Sequence, residues 1–156
     1  SKKIFQPMDA YVEENQLGLV VYAPVDIMIN KNPLQTRQPD VLYISFERLE
    51  KFRLDDMEEL PYLDVAPNLV IELISPSESS RKVEEKLADY RKIGVCECWL
   101  VRSAEGAIDV IRFLSEFTQI LERFCRGERV RSQVLPGWQP AVDDLLVSLA
   151  SIKGQN

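Results

Sequence analysis

The chain has 156 residues, 46% of them apolar and 28% charged, with a net charge of −6. That is enough for one domain with a real core, and the acidity argues against a protein that coats polyanions without specificity. There is no histidine, which excludes Ser-His-Asp and Cys-His chemistry and leaves carboxylates, lysine, tyrosine or metal-bound water to carry any catalysis.

In chain order, "FQPMDAYVEENQLG" reads as a short helix with Pro7 in its first turn and Gly18 stopping the chain near its end. "LVVYAPVDIMIN" reads as one or two strands, interrupted or edged by Pro24. "KNPLQTRQ" is a polar turn or loop, and "PDVLYIS" a strand opened by Pro39. "FERLEKFRLDDMEELPYLDV" is charged, weakly helical and superficial. "APNLVIELIS" is the central strand, since its near-continuous apolar run suits burial on both sheet faces. A helix follows from about Arg81 to Ile93, capped by Ser79 or Ser80 and ended by Gly94. "VCECWLVR" and "GAIDVIRFL" are strands joined by the tight connection "SAEG". "FTQILERFCR" and "ERVRSQVL" continue the antiparallel series, and Pro140 opens a closing amphipathic helix, "PAVDDLLVSLA". The sum is an α/β domain with a mixed sheet, in which the strand of Glu72 leads through a helix to the strand of Trp99.

The cysteines are Cys96, Cys98 and Cys125. A single C-x-C with no second pair and no histidine argues against structural zinc. Alternate residues of a strand share a face, so Cys96 and Cys98 read as small, half-buried apolar residues of a protein in a reducing cytoplasm. No segment has membrane-spanning length and no signal peptide opens the sequence.

Glu72 is the anomaly. It stands among Leu69, Val70, Ile71, Leu73 and Ile74, where an ionised carboxylate needs a cation, several hydrogen bonds or a proton. Otherwise the strand ends near it and the side chain reaches water or an arginine. On a helical wheel with Val83 at zero, Leu87 falls at roughly +40°, Tyr90 at roughly −20°, Ile93 at roughly −80° and Lys86 at roughly −60°. Lys86 therefore lies within the apolar stripe, either snorkelling outward or turning in toward a carboxylate, of which Glu72 is the nearest in sequence. Asp40 opens the strand "PDVLYIS", which could lie beside that of Glu72. Two converging carboxylates make a hard-cation site for Mg²⁺ or Mn²⁺, and a neighbouring lysine can orient water or stabilise developing phosphoryl charge. Asp26 is either a further member or a solvent-facing edge residue, and Tyr90 either a hydrogen-bonding neighbour of Lys86 or an ordinary core tyrosine. Arg123, Arg126, Arg129 and Arg131 either track a phosphate backbone or pair with Glu122 and Glu128.

At these residues the chain resembles the Uma-type family of restriction endonucleases, a bacterial branch of the PD-(D/E)xK nuclease superfamily. The resemblance runs from about Leu17 to Leu114 through "GLVVYAPVDI", "RQPDVLYIS", "APNLVIELISPS", "EKLADYRKIGV" and "CWLV", in that order. It implies a restriction-endonuclease-like mixed central sheet with flanking helices and a metal bound between strands. Asp40 matches the aspartate of the PD motif and Glu72 the acid of the (D/E)xK motif. Ile74 stands at the motif's lysine position, and the lysine looks relocated to the next helix, as Lys86. The resemblance also implies a homodimer. Where this chain has Asn68, Lys82 and Cys98, the family usually or often has an aspartate, an acid and a tyrosine. The superfamily's extra glutamate on the first helix has no secure match here, Glu13 and Glu14 being the residues on the only early helix. Family members tend to carry more sequence before that helix, including a strand, so the expectation is one domain over 1–156, either truncated or built without that strand.

The function expected is that of a metal-dependent endonuclease acting on DNA, with Asp40 and Glu72 holding Mg²⁺ (or Mn²⁺) and Lys86 completing the catalytic set. The competing expectation is a catalytically silent interaction protein on the same fold, its carboxylates serving as structural partners of Lys86.

Overall fold

The computed structural model describes residues 2–51 and 61–146. The first helix, α1 (Lys2–Glu14), buries Ile4, Met8 and Val12, an i, i+4, i+8 stripe. The helix starts three residues earlier than its sequence suggests, so Pro7 lies inside it rather than in its first turn. The buried Ile4 extends the apolar stripe upstream, and the missing N–H of Pro7 forfeits only a bond to the carbonyl of Lys3, in the first turn. Gly18 does not stop the helix either. The chain turns at Gln16, with φ of 52°, and Gly18 opens strand β1 (Gly18–Tyr22). A Cβ at Gly18 would lie 2.0 Å from the carbonyl oxygen of Ile44, so only glycine lets β1 approach its neighbour.

The next strands are β2 (Ile27–Asn30), β3 (Gln35–Arg37) and β4 (Val41–Ser45). The "KNPLQTRQ" segment is more than a loop: its second half is β3, which pairs antiparallel with β2 as a separate two-stranded sheet. Helix α2 (Phe46–Glu50) follows, capped by Ser45; residues 52–60 of the charged segment lie outside the described residues. Then come β5 (Leu69–Leu73), α3 (Ser80–Ile93), β6 (Glu97–Arg102), β7 (Ala107–Phe113), β8 (Gln119–Cys125) and α4 (Val142–Leu145). Helix α3 has the expected signals: the Ser79 hydroxyl accepts from the Lys82 N–H, and Gly94 closes it in the left-handed conformation at φ 96°. "SAEG" forms a single 3-10 turn, Ser103–Glu105, closed by Gly106.

Two expectations near the end need correction. "ERVRSQVL" adds no strand; it makes one isolated bridge, Arg129 to Ala141, because Ser132 and the backbone of Gln133 are drawn to Glu97 instead. The described part of the closing helix is the short α4, which starts at Val142 rather than Pro140.

The main sheet has six strands in the order β1-β4-β5-β6-β7-β8. All neighbours are antiparallel except β5 and β6, which run parallel with α3 as the crossover. Period-2 alternation splits the core in two. Val41, Tyr43, Leu69, Ile71, Trp99 and Val101 face α1 and the 130–146 segment, where Trp138 stacks on Trp99 at 5.5 Å. Leu42, Ile44, Val70, Cys98 and Leu100 face α3. The apolar run of β5 is thus explained by cover on both sides.

Candidate active site

Strands β4 and β5 pair with Val41 opposite Ile71 and Leu42 opposite Val70. The register ends at Val41; Asp40 lies just ahead of β4, near enough to Glu72 of β5 that the two carboxylates feel each other's charge and each feels Lys86 of α3. The Asp40 N–H donates to the Ile71 carbonyl at 3.2 Å, and the Asp40 Oδ2 accepts from the Leu73 N–H at 2.8 Å. The aspartate is fixed by the backbone of the strand that carries the glutamate.

Glu72 is 4% exposed. One carboxylate oxygen accepts from the buried phenol of Tyr90 on α3, and the other lies 3.5 Å from Lys86 Nζ. Lys86 also donates to Glu78 Oε2 at 2.8 Å. The structure therefore brings Asp40, Glu72 and Lys86 together, with the amine turned inward.

Burial, aided by the charge of Asp40, pushes the Glu72 carboxyl up to about 7, against the pull of Lys86 and the Tyr90 hydrogen bond. Burial also raises Asp40, more than the Leu73 N–H lowers it. For Lys86, burial draws the amine down, but Glu72 and Glu78 outweigh it and the net shift is upward. Burial and the adjacent Glu72 push the Tyr90 phenol up, so it stays a proton donor. Cys98 is wholly buried on this face and its thiol is raised well above the ordinary range, chiefly by burial, which leaves it an inert space-filler.

Two contributors escape a reading of the sequence. Glu78 is one residue ahead of the Ser79 cap, where an acid ordinarily signals only a favourable helix start; its grip on Lys86 depends on how the 74–79 loop folds back. Arg37 binds Asp89 at 2.6 Å and ties the β2-β3 hairpin to α3. A basic residue on a short strand, 52 positions from its partner, carries no local signal.

The remaining candidates fall elsewhere. Asp26 precedes β2 rather than lying within a strand, and it accepts from Gln38 at 3.0 Å. Glu13 and Glu14 are exposed on α1, which packs against the opposite face of the sheet from Glu72. Of the four arginines, Arg131 pairs with Glu122 at 3.3 Å, Arg123 with Asp109 at 2.7 Å and Arg126 with Asp143 at 3.2 Å, and Arg129 donates to the Gln139 carbonyl. Among the described residues Glu128 pairs with no arginine; it accepts from the Cys125 N–H.

Among the described residues no group of three or more histidine, cysteine, aspartate or glutamate side chains is set to hold a metal ion. Asp40 and Glu72 offer two hard oxygen donors, each raised by burial, with Asp40 adding to the rise at Glu72. That donor set suits a hard divalent cation whose remaining ligands are water or phosphate oxygens. No described helix is long and apolar enough to cross a membrane.

A mixed sheet flanked by helices, with two acids at the ends of adjacent strands and a lysine leaning in from the crossover helix, defines a restriction-endonuclease-like fold. The chain belongs to the Uma2 family, described as "Putative restriction endonuclease", which matches residues 1–148. It is also similar to a solved structure from Anabaena variabilis ATCC 29413, titled as a "putative nuclease belonging to DUF820". The TM-score is 0.74 at 19% identity, covering 92% of this chain and 76% of that one. No curated protein matches the chain.

Proposed function

We propose that the protein is a metal-dependent endonuclease that hydrolyses DNA phosphodiester bonds, with Asp40, Glu72 and Lys86 as its catalytic set. The observation that carries this reading is that Asp40, bound to the Leu73 N–H next to Glu72, lies within electrostatic reach of that glutamate, with the Lys86 amine 3.5 Å from Glu72. Asp40 and Glu72 would hold Mg²⁺ or Mn²⁺. Bound there, such an ion supplies positive charge that acidifies a coordinated water and neutralises a phosphoryl oxygen.

The protein's own groups then have distinct tasks. The Leu73 N–H holds Asp40 in place, and Tyr90 holds one oxygen of Glu72 so that the other faces Lys86. Lys86 remains cationic at neutral pH, because its carboxylate neighbours outweigh its burial. It can therefore hold an attacking water or stabilise charge on the phosphoryl oxygens. The reading includes a homodimer acting in the cytoplasm. Its test is nicking of supercoiled plasmid in Mg²⁺ or Mn²⁺. The parent chain is expected to nick, and Lys86→Ala to lose roughly 10²-fold or more. A parent that leaves the plasmid intact with either metal would overturn the reading.

One observation favours a second reading. Both oxygens of Glu72 already face protein groups, Tyr90 and Lys86, and Lys86 is shared with Glu78. The same cluster could serve as a structural ion network in a catalytically silent interaction protein. Plasmid nicking and a metal titration separate the two.

A further inference from the structure

A mainly polar cleft of about 380 Å³ opens beside Lys86. Its lining is Lys82, Glu85 and Lys86 on the first two turns of α3, Ser75, Ser77 and Glu78 on the loop before that helix, and Arg37 on β3, three cations against two acids. The cations here are not equivalent. Lys86 is held by Glu78 and Glu72, and Arg37 by Asp89. Even the exposed Arg81 next door pairs with Glu85. Lys82 is different: its backbone N–H serves the Ser79 cap, and among the described residues its amine has no ion-pair partner. The hydroxyls of Ser75 and Ser77 bond to each other at 2.9 Å on the same lining.

We propose that Lys82 contacts the backbone phosphate adjacent to the one that is cut, making this cleft the entry groove for one DNA strand. The inference rests on the nuclease reading, in which Lys86 marks the scissile phosphate. Four residues of α-helix rise about 6 Å, comparable to the step between successive phosphates of an extended strand. Lys82 and Lys86, one turn apart and lining one cleft, match two neighbouring phosphates. In a chain of net charge −6, with Glu78 on Lys86 and Glu85 on Arg81, an amine on the cleft lining with no ion-pair partner among the described residues gives a polyanion a local point of attachment. A lysine there supplies a point charge and no base readout, so it sets where the strand lies and leaves sequence preference unaffected.

The test is the salt dependence of binding to a cleavage-resistant phosphorothioate duplex in constant Mg²⁺, read by fluorescence anisotropy. Removing one phosphate contact lowers the slope of log K against log salt by about 0.9. Lys82→Ala is expected to show that loss, to bind several-fold more weakly on any sequence, and to raise KM for plasmid nicking with kcat unchanged. Lys82→Arg should retain the parent slope, as should Lys92→Ala at the exposed far end of α3. If Lys82→Ala keeps the parent slope and affinity while the parent binds and nicks DNA, the contact is refuted and the nuclease reading stands. If the parent neither binds nor nicks, both fail together.

Discussion

Tyr90 and Glu72 are 18 positions apart in sequence and hydrogen-bonded in the buried layer between α3 and the sheet. The phenol belongs to the helix face that buries Val83, Leu87 and Tyr90, the face from which Lys86 also reaches Glu72. Tyr90→Phe should keep the packing and strand one oxygen of Glu72. The expected loss is roughly 1.5–3 kcal/mol, the range for a hydrogen bond to a charged group. Urea unfolding at about pH 8, where Glu72 is ionised, measures it; an unchanged midpoint would mean that the phenol does not hold the carboxylate.

The upward shift of Glu72, caused first by burial, gives a pH signature. Its carboxyl titrates near 7 when folded and at 4.5 ordinarily. The folded state keeps a proton that the unfolded state releases, so this stability is fully present below pH 4.5 and is lost as pH rises toward 7. The size is on the order of 3 kcal/mol. Glu72→Gln should flatten the pH dependence in that window. Asp109 has the opposite sign: burial works against its charge, but hydrogen bonds from Arg123 and Arg102 win and hold it below 3.8. Its contribution is present above that value and fades in stronger acid, so Asp109→Asn should lower stability above that value and flatten the acid limb. Thermal melts from acid to neutral pH read both.

Under the nuclease reading, adding Mg²⁺ or Mn²⁺ should raise the melting temperature of the parent at pH 8, because a cation held by Asp40 and Glu72 would bind the folded state only. Asp40→Ala and Glu72→Ala should abolish both that rise and saturable binding in calorimetry. In the structural alternative, the parent melts identically with and without metal and Glu72→Gln is simply weaker.

Glu97 anchors the chain's return across the other face. It is 1% exposed and accepts from Trp99 Nε1 at 2.9 Å, Ser132 Oγ at 2.5 Å and the Gln133 N–H at 3.1 Å. It also lies 3.4 Å from Arg112 Nε, a buried atom with no hydrogen-bond partner. Glu97→Ala would remove an ion-pair partner of Arg112 and unfasten the 132–135 turn. A loss of roughly 3–5 kcal/mol is expected, with DNA nicking per folded molecule unchanged. A small loss in chemical denaturation would contradict the anchoring role.

What the sequence disclosed followed from periodicity and turn chemistry. The double-sided burial of β5 and the Gly94 stop were legible, because each depends on residues within a turn or strand of one another; the cap was legible only as Ser79 or Ser80, and Lys86 as either snorkelling outward or turning inward, since Glu72 decides it from another element. The adjacency of Asp40 and Glu72 was legible as a possibility, and became geometry only when β4 paired with β5. Less was readable where distant partners decide. The 128–135 segment has the composition of a strand, yet Glu97, far back in the chain, captures Ser132 and the Gln133 N–H. Arg37 and Glu78 gave no hint of their partners, since Asp89 and Lys86 reach them through the fold alone. Gly18 looked like a helix stop, but its reason lies across the sheet, at the carbonyl of Ile44.

The strand order sets β4 and β5 inside the sheet, with β1 beyond one and β6, β7 and β8 beyond the other. Peripheral strands fray first, and backbone amides there exchange with solvent at low cost. Asp40 and Glu72 are therefore insulated from such breathing: deuterium uptake at the rims can proceed while the acid pair stays closed. Opening that pair requires parting two interior neighbours, an event close to global unfolding.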